Sequence, residues 1–508
     1  MLRQFPLQKQ SSWQAWLVIG GFGLFLGIAA AISPWLTVAL VASAVGLLIV
    51  SKFKAHYILW LIAFTIPFRF EYELADARLN LTELLALLLV ALVLSRSFVK
   101  REFSWVTLPY KGILSVYLVC VLVAHAYGPE IEGIAQGIWH LYKNAIALPL
   151  LYFVVFASIK SRRQVKIAAG VLIVATALSS IVGSVQTFSG GRYLTGHGAN
   201  GNLRYLGILS RYPSEDIFLY SLLARGPSYV PGTDIFRAHG GLTNHINFGA
   251  FLSTVLLLTL SLFLYSRSLK NQVLLGVSII LMVGCLLFTF SRAAWVASAA
   301  SSLLMISLMR KTKTFLFVVM IGLTFLMLVL ILLPIVTEIL PPFFLGRTTS
   351  ILTPGQTPEM QGRFAAWRQA LRWIEGRPLL GMGTHKVKGT IMGHTVPSSH
   401  NIFLDVAYTQ GLIALGSLLL LLYMFAKDAL CLHNRSDSRY FQGLGLGILG
   451  GLAAFVIAGM FSSLLAYLDT AGLFWFVAGL LVAARRVSLG RREVGPHRNL
   501  DRFGTGMR

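Results

Sequence analysis

Charge is scarce in this sequence of 508 residues. Only 12% of the residues are Asp, Glu, Lys or Arg, whereas 56% are hydrophobic and the mean hydropathy is +0.73. In ordinary soluble domains about 25% of residues are charged, so this composition excludes a soluble protein. Repeated apolar runs of about 17–25 residues are each long enough to cross a bilayer. The sequence therefore predicts a polytopic helical membrane protein.

Motifs of several metalloenzyme classes are also absent. The three cysteines lie in or beside apolar runs without metal-ligand spacing, which favours buried free thiols. No His-Glu-x-x-His motif occurs, and no paired-aspartate motif typical of metal-dependent transferases of nucleotide sugars. We expect no metal and no other cofactor. Zinc binding by His385, His394 and His400 stays an alternative, although their spacing matches no usual ligand pattern.

Acidic residues are few: 43 Lys and Arg face only 19 Asp and Glu. Such an excess could indicate a nucleic-acid partner. When the N terminus is placed inside the cell, however, 27 of the 43 basic residues and only five of the 19 acidic ones fall in cytoplasmic segments. The positive-inside rule accounts for this distribution. We therefore expect no nucleic-acid partner, and both termini in the cytoplasm.

Fourteen apolar segments predict an all-α transmembrane helical bundle with two larger external loops. The segments are 14–32, 34–50, 57–68, 81–95, 112–126, 139–158, 167–187, 242–265, 272–290, 293–309, 314–334, 402–425, 441–466 and 470–484. Neither an internal repeat nor a Gly/Ser linker to a soluble domain is visible. Lys143 in the sixth segment either faces a cavity or reaches the membrane surface with its ammonium group.

The spans and loops divide the chain into six predicted parts. These are N-terminal transmembrane helices (1–188), a first external loop (189–241), further transmembrane helices (242–334), a large external loop with an amphipathic helix (335–401), C-terminal transmembrane helices (402–484) and a basic cytoplasmic tail (485–508).

Three external arginines, Arg237, Arg292 and Arg363, lie near predicted helix mouths. A guanidinium group offers a planar fork of donors that suits phosphate oxygens, and it keeps its charge. If these three groups converge, they could hold a pyrophosphate without a metal. Arginine is also permitted in long external loops, where the positive-inside rule weakens, so convergence is an expectation that spacing alone does not establish.

Helical spacing places Arg363, Trp367, Ala370, Leu371 and Ile374 on one stripe of a helix over residues 363–374. Two interpretations share this geometry. One is an in-plane interfacial helix above the bundle, and the other is an ordinary amphipathic loop helix.

His400 is a candidate general base, because it stands where the large external loop meets an apolar helix. A neutral imidazole there could take a proton from an attacking hydroxyl. Asn401 is adjacent, and Asp405 follows one turn later, where it could orient partners or pack against a polar neighbour. A histidine that only makes structural hydrogen bonds is the competing interpretation.

The order of these short motifs resembles the O-antigen ligase and polymerase superfamily. The likeness covers roughly 237–425 and is carried by Arg237, Asn247-Phe-Gly, Ser291-Arg292, Arg363-x3-Trp367-x2-Ala370-Leu371, Pro378-Leu-Leu-Gly-Met-Gly383, and His400-Asn401 with nine residues to Gly411. Ligases of this family often have Gly, Thr or Tyr three residues after that glycine, where this chain has Ala414. Ligase and polymerase therefore both stay open.

The resemblance implies a metal-independent, inverting glycosyltransferase of the GT-C type in a bacterial inner membrane, with its active site on the periplasmic side. The implied donor is an undecaprenyl-diphosphate-linked glycan, and the acceptor is a sugar hydroxyl on the lipid A core of lipopolysaccharide or on another lipid-anchored glycan. Membrane lipids are the other implied partners. His400 would be the base, and Arg292 and Arg363 would bind the pyrophosphate. Arg237, Asn247 and Asn401 would contact substrate.

The main alternative is a polymerase that extends lipid-linked repeat units of O-antigen or exopolysaccharide. A transporter or flippase of lipid-linked glycans ranks behind both, because such proteins favour ionisable residues in mid-membrane and repeated halves. A non-catalytic scaffold for envelope assembly is the third alternative.

Overall fold

The computed structural model describes residues 55–68, 71–74, 77–100, 108–127, 148–188, 236–242, 244–309, 358–383, 389–391, 394–396 and 399–489. The predicted spans 14–32, 34–50 and 314–334 lie outside the described residues, as do Lys143, His385 and the tail from residue 490.

The described chain is helical apart from two short antiparallel hairpins. The helices are α1 (Ala55–Thr65), α2 (Leu81–Lys100), α3 (Lys111–Tyr127), α4 (Leu148–Ser158), α5 (Arg162–Phe188), α6 (His245–Tyr265), α7 (Leu269–Phe288), α8 (Arg292–Ser307), α9 (Pro358–Gly376), α10 (Ile402–Gln410), α11 (Leu412–Arg435), α12 (Arg439–Gly459) and α13 (Leu468–Leu489), with a 3₁₀ turn at Leu464–Ala466. The hairpins pair β1 (Glu71–Leu74) with β2 (Ala77–Asn80), and β3 (Gly389–Ile391) with β4 (His394–Val396). They are the departures from an all-helical expectation in this part of the chain.

Six helices among the described residues are long and apolar enough to cross a membrane: α5, α6, α7, α11, α12 and α13. The bounds of α5, α6, α7 and α13 differ by up to five residues from the predicted spans. Helix α12 ends seven residues before its predicted span, and α11 begins and ends ten residues after the predicted span 402–425. Shorter apolar helices, including α1, α3 and α4, pack beside them. The chain is a multi-pass helical membrane protein.

One predicted span is wrong in its continuity. Hydropathy predicts a single helix over 402–425, but the structure breaks it at Gly411 into α10 and α11. Gly411 has φ 90°, and a Cβ atom there would lie 1.9 Å from the Leu379 carbonyl oxygen. Because the helices on both sides of the break are largely apolar, hydropathy averaged over a span does not show it. The preceding loop occupies the space, and only glycine fits.

Close packing of α6 against α12 sets the frame of the bundle. Gly443, Gly447 and Gly451 recur every four residues and so line one side of α12. A Cβ atom at each would lie within 3.0 Å of an atom of α6. The contacts run antiparallel, so the start of α6 lies at the C-terminal end of α12.

The two ends of the bundle differ in charge. Basic residues are concentrated where α5 begins and where α11 and α13 end. Arg162 donates to the Val487 and Ser488 carbonyls at 3.3 and 3.1 Å, and Arg485 forms an ion pair with Asp428. The starts of α6, α8, α11 and α13 lie at the opposite end. We call that opposite end the site end.

Candidate functional site

Elements that are distant in sequence meet at the end of α12. Ser462, just beyond this helix, has its hydroxyl 3.4 Å from Asn247 Oδ1 near the start of α6. The adjacent Phe461 ring lies 6.4 Å, centroid to centroid, from the Trp367 ring of α9. The segment 461–462 therefore joins the predicted donor-binding region around Asn247 to the helix that carries Arg363.

The backbone just before His400 is held in place through Ser399. Trp367 donates from Nε1 to the Ser399 carbonyl at 3.0 Å. Asp405 Oδ1 accepts hydrogen bonds from the Ser399 backbone N–H at 2.9 Å and from its hydroxyl at 2.7 Å. His400 itself adopts φ 53° and stays exposed. A non-glycine residue in the left-handed region costs free energy and persists where its surroundings enforce it, often at functional sites.

Asn401 begins helix α10. Its side-chain oxygen accepts from the backbone N–H groups of Phe403 at 2.9 Å and Leu404 at 3.2 Å, which is an N-cap. Its neighbour Ile402 packs against Gly459 of α12, where a Cβ atom would lie 2.7 Å from the isoleucine Cδ1. The side-chain oxygen of Asn401 thus caps the helix, and its amide nitrogen is the group that could bind a substrate.

The electrostatics around His400 favour its neutral form. Burial by packed neighbours is the main cause that lowers the pKa of His400 below its ordinary value, and the positive charge of Arg363 lowers it further. Asp405 acts in the opposite direction. A histidine with a lowered pKa is deprotonated at neutral pH and can accept a proton. The structure thus brings His400, Arg363 and Asp405 into electrostatic contact.

Arg292 is the first residue of α8, at the site end of the bundle. The start of α8 packs on the start of α6, since a Cβ atom at Gly249 would lie 2.8 Å from Ala294 and 3.1 Å from Ser291. Phe290, two residues earlier, has φ 50° and turns the chain sharply between α7 and α8. The guanidinium of Arg292 therefore projects from the N-terminus of a helix, a position that favours anions. Its proximity to His400 is not among the described contacts and stays a prediction.

Arg237 is buried beside the start of α6. Its Nη1 lies 2.8 Å from His245 Nε2. Because a guanidinium has only donors, the imidazole must accept with Nε2, which assigns the ring proton of neutral His245 to Nδ1. The loop that carries Arg237 is fixed by Gln186 of α5. The Gln186 side-chain oxygen accepts from the His239 and Gly240 backbone N–H groups at 3.2 and 3.0 Å.

Asn247 is fully buried, with 0% of its surface exposed. Its amide nitrogen has no hydrogen-bond partner among the described residues. A buried donor without a partner costs free energy, commonly about 1–3 kcal/mol. Arg237 and Asn247 are thus both buried, whereas His400 is exposed.

The predicted amphipathic helix is confirmed as α9 and is longer than expected, because it begins at Pro358. Its packed side is Met360, Ala366 and Ala370, with Trp367 beside them. Leu371, which spacing places on one stripe with Trp367 and Ala370, does not pack with them, because this side chain is 51% exposed. Leu371 lies about 100° around the helix from the buried Ala370, on the other side of the boundary between the two faces.

Three contributors to the site were not identified from the sequence: Ser399, Gln186 and His245. Ser399 precedes an asparagine N-cap and an apolar run, a pattern that signals a helix start. Gln186 lies 53 positions before His239, and the Arg237–His245 contact joins a loop to a helix. No local sequence pattern predicts these contacts.

Within the described residues, no group of three or more His, Cys, Asp or Glu side chains is placed to hold a metal ion. His385 lies outside this part of the chain, so the alternative of a zinc site at His385, His394 and His400 is not tested by the structure. Metal independence stays a prediction.

The candidate site residues from Arg292 to Asn401 lie in a region that resembles a known protein family. Residues 277–421 match the family model described as O-antigen ligase. The match extends from α7 into α11 and includes Arg292, Arg363, His400 and Asn401. None of the curated proteins matches the chain. The match over residues 277–421 thus confirms the resemblance of this part of the chain to the O-antigen ligase superfamily.

Proposed function

We propose that this protein transfers a glycan from an undecaprenyl diphosphate to a sugar hydroxyl, as an O-antigen ligase does. The enzymes of its family transfer glycosyl groups between lipid-linked substrates. The observation that carries the proposal is the arrangement at the start of α10. There the partly buried imidazole of His400 has a pKa lowered by its packed neighbours and by Arg363. This combination provides a neutral base and a fixed cation together.

In the proposed reaction, His400 takes the proton from the acceptor hydroxyl as its oxygen attacks the anomeric carbon of the donor sugar. The bond between that carbon and the diphosphate oxygen breaks, and its electron pair stays on the leaving diphosphate. Attack from the opposite face inverts the anomeric centre. The proton on His400 then passes to solvent, which restores the base.

Arg292 and Arg363 are proposed to bind the diphosphate, whose negative charge grows as the bond breaks. Preorganised cations stabilise such developing charge, and removing one donor typically costs about 10²–10³-fold in rate. Arg363 is placed for this role by α9, which Trp367 fastens to Ser399. Arg292 extends from the first turn of α8 at the same end of the bundle. No metal ion or other cofactor is required in this scheme.

Arg237, Asn247 and Asn401 have a smaller proposed part. Arg237 and Asn247 are buried, so direct contact with the donor would require the site to open around them. The positive charge of Arg237 and the amide N–H donor of Asn247 would then face the diphosphate or the first sugar. Asn401 would use its amide nitrogen while its oxygen caps α10.

The proposed location of the site is the periplasmic face of the bacterial inner membrane. Supporting this, the basic start of α5 and the basic ends of α11 and α13 lie at the other end of the bundle from His400. Basic segments prefer the cytoplasm. The predicted fourteen spans and the cytoplasmic placement of both termini belong to the same proposal.

The experiment that tests the proposal uses purified protein, a lipid-linked oligosaccharide, and lipid A core as a separate acceptor. Modified core that appears only when core is supplied indicates a ligase. Longer lipid-linked ladders without core indicate a polymerase, for which the base and the cations would act in the same way. If no glycosidic bond forms, but labelled lipid-linked oligosaccharide crosses vesicle membranes, the protein is better assigned as a flippase and the proposal fails.

A further inference from the structure

The outward side of α9 carries large apolar side chains. Phe364 and Leu371 are 40% and 51% exposed, and their seven-residue spacing places them on one stripe of the helix. In the turn that follows, Leu379 and Leu380 are 61% and 42% exposed. We call these four residues the docking face. Four large apolar side chains exposed together are a candidate interaction surface.

The docking face continues a surface that faces lipid. On the candidate span α11, Leu412, Leu419 and Tyr423 are exposed, and their spacing places them on one stripe. A backbone hydrogen bond joins the start of that stripe to the turn after α9: the Leu412 N–H donates to the Pro378 carbonyl at 2.7 Å. Leu379 and Leu380 therefore stand where the lipid-facing side of a membrane span begins.

Charge on the same side of α9 favours an anionic partner. Arg368 and Arg372 are exposed on this side, with Glu375 as the acidic residue among them. Arginine beside exposed aromatic and aliphatic residues is the pattern of helices that lie at an anionic lipid surface. On its inward side α9 is already occupied, since the Trp373 ring lies 5.2 Å, centroid to centroid, from that of Tyr408.

We propose that the docking face lies in the membrane at the boundary between headgroups and acyl chains, and that anionic phospholipid is its partner. Helix α9 then lies in the plane of the membrane, with Arg368 and Arg372 among the headgroups. The adjacent Arg363 is held at the depth of lipid phosphates. Three observations support this proposal: the exposure of the docking face, its continuity with the exposed stripe of α11, and the positive charge of Arg368 and Arg372. It does not depend on whether the protein transfers glycans.

The test measures the depth of labels on the full-length protein in nanodiscs. Phe364→Cys and Leu371→Cys carry a fluorescent label. Gly362→Cys is the matched control, because it is exposed, a Cβ atom there meets nothing within 4 Å, and two residues turn the label by about 200° from Phe364. Labelled wild type corrects for the native cysteines. One set of discs contains equal parts of phosphatidylglycerol and phosphatidylcholine, and the other contains phosphatidylcholine alone. Quenching by a nitroxide on the acyl chain and by aqueous iodide is recorded for each label.

We expect labels at 364 and 371 to lose fluorescence to the lipid nitroxide and to be shielded from iodide, with the reverse at 362. The loss to the nitroxide is expected to be greater in the discs with phosphatidylglycerol. Labels at 364 and 371 that are as open to iodide as the one at 362 would overturn the proposal. Equal quenching in both lipids would overturn the choice of anionic lipid. Because no donor is present, these results do not depend on turnover.

Discussion

Asp405 accepts two hydrogen bonds from Ser399, one from the backbone N–H at 2.9 Å and one from the hydroxyl at 2.7 Å. His400, the candidate base, follows Ser399 directly and lies between the two paired residues. A carboxylate therefore does two things for the candidate base. It fixes the backbone next to the imidazole, and its charge opposes the fall in the pKa of His400 caused by burial and by Arg363.

Asp405→Asn should separate these two effects. The amide oxygen can still accept from Ser399, but the negative charge that favours protonated His400 is gone, so the pKa of His400 should fall further. A base acts when it is deprotonated, so the acidic limb of kcat/KM against pH should move to lower pH. Glu375→Gln, an exposed acid on α9, should leave the limb in place. An unmoved limb in Asp405→Asn would show that this carboxylate does not act on the base.

Arg363→Gln should move the same limb in the opposite direction. Without the guanidinium, protonated His400 is less disfavoured, its pKa rises, and activity is lost up to a higher pH. The plateau should also fall by about 10²–10³-fold if Arg363 stabilises the leaving diphosphate. Arg363→Lys keeps the charge but loses the fork of donors, so its limb should stay near that of wild type while its plateau falls. The pH profile of purified protein measures both quantities.

The control for that series is Arg377→Gln, because Arg377 is exposed just beyond the end of α9. It should keep both the limb and the plateau of wild type. A limb that does not move in Arg363→Gln would contradict the electrostatic contact between Arg363 and His400.

Gly411→Ala should destabilise the protein. The φ of 90° is unfavourable for alanine, and the new Cβ atom would meet the Leu379 carbonyl. A strained residue of this kind costs about 1–3 kcal/mol. Gly416→Ala is the matched control on α11, because a Cβ atom there meets nothing within 4 Å. In a helix this change should be neutral or should stabilise by about 0.5–1 kcal/mol. Thermal unfolding in detergent compares the two, and equal midpoints would contradict the break at Gly411.

Asn401→Ala should lower stability by about 1 kcal/mol, because α10 loses its N-cap. Asn401→Ser restores a capping oxygen but has no amide nitrogen. We expect serine to recover the unfolding temperature of wild type while KM for the donor stays raised. If Asn401→Ser recovers both, Asn401 is a helix cap only and leaves the set of substrate-binding residues.

The sequence predicts the helical membrane class and the existence of α9 well, because these follow from apolar runs and helical periodicity. It does not predict the break at Gly411, since the helices on both sides are largely apolar and the cause is the Leu379 carbonyl from another segment. Spacing also groups Leu371 with Trp367 and Ala370 on one stripe, but it does not say which members of the stripe pack.

For the site, the sequence identifies His400, Asn401 and Arg363 but not how they are held. The capping role of Asn401 could have been read from its place before an apolar run. The bond from Trp367 to the Ser399 carbonyl and the clamp of Gln186 on the loop before α6 depend on tertiary packing. These contacts decide which candidate residues meet, and spacing along the chain carries no information about them.

The central claim is that a neutral His400 and fixed arginine charge act together on a lipid diphosphate. The initial rate of glycan transfer by purified His400→Ala, compared with wild type, tests it most directly, with Arg292→Ala as a second arm and Arg377→Gln as the control. We predict a loss of about 10²–10⁴-fold without the base, abolished transfer in Arg292→Ala, unchanged expression and membrane insertion, and a control that keeps the rate of wild type. Wild-type transfer by His400→Ala would contradict the account.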